Sequence, residues 1–139
     1  MTTPLSLIAR NGRMSGLRAA LDIGGAKLLF YTNLPPAKPD DVTAETLIGT
    51  LALAAPCGVL GQSGVAPAPL FATLTLTTPR VVAASATGVV GWVRLVNGAG
   101  DGFLDLLVGL AGSGAPAIVN VLQVFQNGEL QLVSCVLSE

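Results

Sequence analysis

In 139 residues the chain carries seven Lys and Arg, eight Asp and Glu and no His, with 51% apolar side chains and a net charge of −1. Near-neutrality argues against nucleic-acid binding, which needs a basic face to displace counterions from phosphates, and no apolar run approaches the roughly 18 residues of a membrane span. An average domain of this length would carry about 35 charged groups over roughly 6,700 Å² of surface. Residues 46–79 and 106–128 carry none, so much of the outside is expected to lie against other protein.

The length fits one domain, residues 25–139, preceded by an N-terminal helical arm, residues 1–24. Within residues 5–22, Leu7, Met14, Leu17 and Leu21 recur at spacings of three, four and seven and form one helical stripe. Gly24-Gly25 ends it. Three cations, Arg10, Arg13 and Arg18, precede the first acid, Asp22. They also interrupt what would be the apolar region of a signal peptide, so export by the general route is not expected. Two readings apply to these arginines: a solvated helix face, or an arm that docks on an acidic neighbouring subunit.

After Gly25 the signals become those of strands. Residues 27–32 are a compact β-prone run, stopped by Leu34-Pro35-Pro36 and the Lys38-Pro39-Asp40-Asp41 cluster. Residues 46–53 alternate with the period of two expected of a strand. Residues 58–69, rich in Gly and Pro, read as a loop crossing between sheets. In residues 71–77, Phe71, Thr73, Thr75 and Thr77 oppose Leu70, Ala72, Leu74 and Leu76, a half-buried strand. Residues 89–96 and 103–110 flank Asn97-Gly98-Ala99-Gly100-Asp101-Gly102, and residues 118–125 and 129–137 flank Gln126-Asn127-Gly128. Both patterns predict hairpins. About eight short strands without helical patterns between them predict an all-β fold, a two-sheet β-sandwich arranged as a jelly roll, with an immunoglobulin-like sandwich as the second reading.

The sequence offers little for chemistry. Without His, a nucleophilic triad would need Lys27 or Lys38 as its base, neither in a recognisable setting. Asp40 and Asp41 are adjacent in a turn and point apart, and Asp101 and Asp105 lack the dense oxygen ligands of a calcium loop. The Gly-rich stretches lack the Lys-Ser/Thr ending of a phosphate loop. Cys57 and Cys135 read as two buried thiols, with a disulfide as the alternative. No catalytic, cofactor-binding or metal-ligating residue is expected, and no enzyme activity. The informative constellation is Trp92-Val93-Arg94: Trp92 and Arg94 share a strand face, where guanidinium and indole can stack. They read either as a buried strand centre or as an interface anchor.

Taken together, the run from Ser6 to Asn11 with its Leu-containing helix, Tyr31-Thr32 before a Pro-rich turn, Leu47 to Leu53, the strand from Gly88 to Arg94, and Asp105 before Val108-Gly109 resemble small virion proteins of tailed bacteriophages. That resemblance spans nearly the whole chain. It implies a head decoration or cement protein that binds outside the assembled shell, bridges neighbouring major capsid subunits and helps the shell resist internal DNA pressure. It also implies synthesis in the host bacterial cytoplasm and a final place on the capsid exterior. The uncharged stretches fit such a partner, and an apolar strand edge or face meeting its own copy across a two-fold predicts a homodimer. A head-tail connector or tail-completion ring subunit is the alternative.

Overall fold

The computed structural model describes residues 6–39, 41–63, 71–76 and 80–138. Its first element is α1 (Leu7–Asp22). The Ser6 hydroxyl accepts a bond from the Ala9 backbone N at 3.2 Å, satisfying one of the first-turn donors that have no helical partner. Met14 and Leu21 are buried in the core and Leu17 packs against it, so the apolar stripe is the docked face. The helix lies on β3 (Gly58–Ser63) and β4 (Phe71–Leu76).

Gly24 and Gly25 take positive φ and end the helix. This turn is fastened to a distant one: Gly98 N donates to Ile23 O at 3.1 Å, and a Cβ on Gly98 would overlap the Gly24 carbonyl. The remaining strands are β1 (Lys27–Thr32), β2 (Leu47–Ala52), β5 (Arg80–Ala83), β6 (Gly88–Val96), β7 (Gly102–Gly109), β8 (Ala117–Val119), β9 (Gln123–Val124) and β10 (Glu129–Ser138). They hydrogen-bond in the order β2-β1-β6-β7-β8-β10-β4-β3, with β5 also on β10 and β9 on β6. Every pairing is antiparallel except that of β7 with β8. The fold is therefore mostly β, a curled mixed sheet with one N-terminal helix. The curl brings β2 beside β5, where Ser85 donates from N and Oγ to Ile48 O at 2.7 and 3.1 Å.

Three expectations need correction. Residues 58–63 are the strand β3 and not part of a loop; residues 64–69 of that predicted loop lie outside the described residues. Glycine is used here for close approach: a Cβ on Gly58 would sit 2.5 Å from Thr75 O of β4. The second predicted hairpin is also different. Asn127, at φ 70°, does form a turn with Gly128, but β9 leaves for β6, and the first half of β10 pairs with β5. β8 meets β10 in a shifted register, Val119 opposite Leu132. Finally, the alternation of β2 breaks at Ile48. Phe30 faces Gly49 while Tyr31 faces Leu47, so Ile48 is the extra residue of a bulge and turns into the core, fully buried.

Candidate functional site

Leu28 and Phe30 of β1 and Val93 and Leu95 of β6 face the core shared with Leu74, Leu130, Leu132 and Cys135. Strand alternation therefore places Leu29, Tyr31, Trp92 and Arg94 on the opposite face. A strap, residues 33–39 and 41–46, covers them. Its ends meet where Thr32 N donates to Thr46 O at 3.1 Å and Thr46 N donates to Thr32 Oγ1 at 3.3 Å, the closed geometry of a compact loop packed by its own side chains. Asn33, at φ 64°, begins the strap and donates from Nδ2 to Glu45.

Arg94 is the latch. It stands opposite Asp105 in the β6–β7 register, and its fork closes on that carboxylate through Nε to Oδ1 at 2.7 Å and Nη2 to Oδ2 at 3.0 Å. Nη1 then donates to the strap carbonyl of Asp41 at 2.7 Å and Nη2 to that of Lys38 at 3.5 Å. A bidentate charge-assisted pair satisfies the guanidinium where water cannot; only 8% of Arg94 remains exposed. The bonds to Asp105 raise the pKa of Arg94 further, against the opposing effect of burial. Its carbon Cζ sits 5.2 Å from the Trp92 ring centroid, while Tyr31 stacks on the same indole at 4.6 Å and 17°. The indole Nε1 donates to Thr32 O at 2.9 Å.

Backbone approach explains two glycines in this assembly. A Cβ on Gly91 would overlap the Asn33 carbonyl, and one on Gly102 would overlap that of Pro39. Between strap and sheet remains a cleft of about 410 Å³, lined among others by Tyr31, Asp41, Thr43, Arg94 and Asp101. The strap turns apolar side chains outward, with Leu34 at 72% and Val42 at 95% exposure.

Trp92 and Arg94 thus meet on one face, as their spacing predicted, but inside the chain: the indole is fully buried, and Asp105 and the strap occupy the guanidinium. Arg10, Arg13 and Arg18 are not brought to them. Arg10 Nε donates to Ser6 O at 3.5 Å, and Arg18 Nη1 reaches Gly58 O at 3.4 Å. Arg13 borders an apolar groove of about 520 Å³ between α1, β7 and β10, lined by Met14, Leu17, Leu104, Leu106 and Leu137. Sequence reasoning missed Asp105 as the partner of Arg94, although closing the loop of residues 97–102 symmetrically puts position 94 opposite 105.

Cys57 and Cys135 are free and buried. Burial, with Asp22 nearby as the second cause, pushes the Cys57 thiol up to about 11, and burial alone pushes Cys135 to about 12. Both therefore stay protonated at neutral pH, and neither is prepared as a nucleophile. Among the described residues there is no group of three or more acidic or Cys side chains placed to hold a metal, and no helix long and apolar enough to cross a membrane.

A second surface is defined by what it lacks. Val136 of β10 faces Thr75 of β4, and Thr75 faces Val59 of β3, so three exposed side chains form a cross-strand row. Neither β3, β4 and β8 nor residues 130–138 of β10 contain a charged residue. No family model, curated protein or solved structure matches this chain.

Proposed function

We propose that the protein is a structural virion protein, a decoration or cement protein that binds the outside of a tailed-phage head and bridges major capsid subunits. The observation that carries this reading is the uncharged outer face of β8, β4, β3 and residues 130–138 of β10, on a chain with only 11% charged residues. Such a face loses little hydration when it meets protein, and modest apolar burial repeated at many equivalent sites stabilises a shell without any single strong bond. The segment order that resembles small phage virion proteins supports the same partner. A jelly-roll sandwich is part of this proposal, supported by the curled, mostly antiparallel sheet of short strands. The arm arginines Arg10 and Arg13 and the outward Leu34 and Val42 of the strap are the proposed contacts beside the neutral face.

Copy number tests the reading. Band intensity in purified particles should show the protein in a fixed ratio to the major capsid protein over the whole shell. A single ring set per particle would instead assign it to the head-tail joint, and absence from particles would reject a virion role.

A further inference from the structure

Among the described residues, only one of the two strands that end the hydrogen-bonded path has a further strand or loop along its outer edge. β2 has the Ser85 bonds to Ile48 O, and its Gly49 lies against Val82 and Ala83 of β5. β3 pairs with β4 alone among the described residues.

An open edge presents unpaired backbone donors and acceptors, and monomeric proteins guard such edges with Lys, Pro, a bulge or a covering loop. β3 reads Gly-Val-Leu-Gly-Gln-Ser, without charge or proline. Its six partners on β4 run in unbroken register, so no bulge twists the edge away. Val59 is 68% exposed, and Gly61 and Gln62 are exposed beside it.

We propose that the outer edge of β3 is a self-association edge, where two copies of the chain pair antiparallel across a two-fold and join their β10-β4-β3 sheets into one. Charge selects the occupant. An isologous contact sets side chains near their own twins, so any like charges there would repel. Residues 46–79, which include all of β2, β3 and β4, contain none. Arg18 of the helix donates to Gly58 O at the start of the strand, at 3.4 Å. With the axis at Gly61, position 59 lies opposite position 63 of the twin, and the smallest residue sits where the two backbones come closest. Main-chain hydrogen bonds then supply the affinity, as in other strand additions. The two Val136-Thr75-Val59 rows emerge on the same side of the joined sheet. The pairing goes beyond the capsid reading and stands without it.

Sedimentation equilibrium of the full chain over a dilution series tests the proposal. The small contact predicts a monomer-dimer equilibrium with a dissociation constant on the order of 10 µM. The double substitution Val59→Lys with Gln62→Lys, at two exposed edge positions, should weaken it at least about thirty-fold, roughly 2 kcal/mol. Its thermal melt when dilute should match the parent. Val133→Lys, exposed on β10 away from the edge, should dimerise normally. Amide exchange in the parent provides a readout independent of any variant: β3 amides should gain protection with concentration while β6 amides do not. A monomer at every concentration, a higher oligomer, a dimer that survives the edge substitutions, or β3 exchange independent of concentration would overturn the proposal.

Discussion

Arg94 and Asp105 face each other across β6 and β7 and close a two-bond fork, which frees the remaining guanidinium donors to hold the carbonyls of Asp41 and Lys38. One ion pair therefore ties a hairpin to a loop more than fifty residues earlier in the chain. Removing its acid leaves a guanidinium enclosed without a countercharge. Asp105→Ala should cost about 3–5 kcal/mol in urea unfolding, whereas the paired replacement Arg94→Met with Asp105→Leu should cost only about 1–3 kcal/mol, since it removes both charges and forfeits the bonds to the two strap carbonyls. Equal losses in the single and paired variants would mean that the pair is not what holds this region.

The sequence contains one Trp, and its burial under the strap makes it a reporter. Gly102→Ala places a Cβ into the Pro39 carbonyl and should lift the strap. The expected result is red-shifted emission, easier acrylamide quenching and new proteolytic cleavage within residues 33–46, with the far-ultraviolet circular dichroism retained. Unchanged quenching would show that the strap does not shield Trp92.

What was legible in the sequence followed local rules. The stripe of Met14, Leu17 and Leu21, the strand from Lys27 to Thr32 and the hairpin around Gly98 depend on periodicity and turn chemistry within one element or one pair. What was not legible depended on distant partners. Gly58 and Gly61 resemble loop glycines until β4 is seen pressing on β3. Asn127-Gly128 makes its turn, but the strands beside it find better partners in β5 and β6 than in each other. For the site, the shared face of Trp92 and Arg94 came from strand parity; that this face would be enclosed depended on the backbone carbonyls of residues 38 and 41, which no side-chain pattern encodes.

Alkaline pH should destabilise the protein through its thiols. Raised pKa values mean that the folded state holds the Cys57 and Cys135 protons more tightly than the unfolded chain, whose thiols titrate near 9.0. Their contribution is fully present below that value and is lost as pH rises toward about 11 for Cys57 and about 12 for Cys135. The slope should not exceed about 1.4 kcal/mol per pH unit for each thiol. Urea unfolding at about pH 8 and about pH 10 checks the sign, and Cys135→Ala should flatten the dependence. A parent whose stability rises over that interval would contradict the burial of these groups.

The helix is expected to be held by the sheet and not by its own propensity, since Gly12 and Gly16 each weaken it by about 1 kcal/mol relative to Ala. Leu21→Ala removes a fully buried side chain at its last turn and should cost about 2–5 kcal/mol. Gly12→Ala, where an added Cβ meets nothing within 4 Å, should stabilise by about 0.5–1 kcal/mol. Thermal melts of the two variants separate docking from propensity; a neutral Leu21→Ala would mean that the helix is not part of the core.

Co-sedimentation reads the proposed partner directly: the purified protein is mixed with emptied mature tailed-phage heads and quantified per major capsid subunit. A cement protein should saturate at a fixed stoichiometric ratio, and Val136→Glu, placing a charge on the neutral face, should weaken that binding without altering the melt. Heads that pellet without the protein at saturating concentration would contradict the capsid reading.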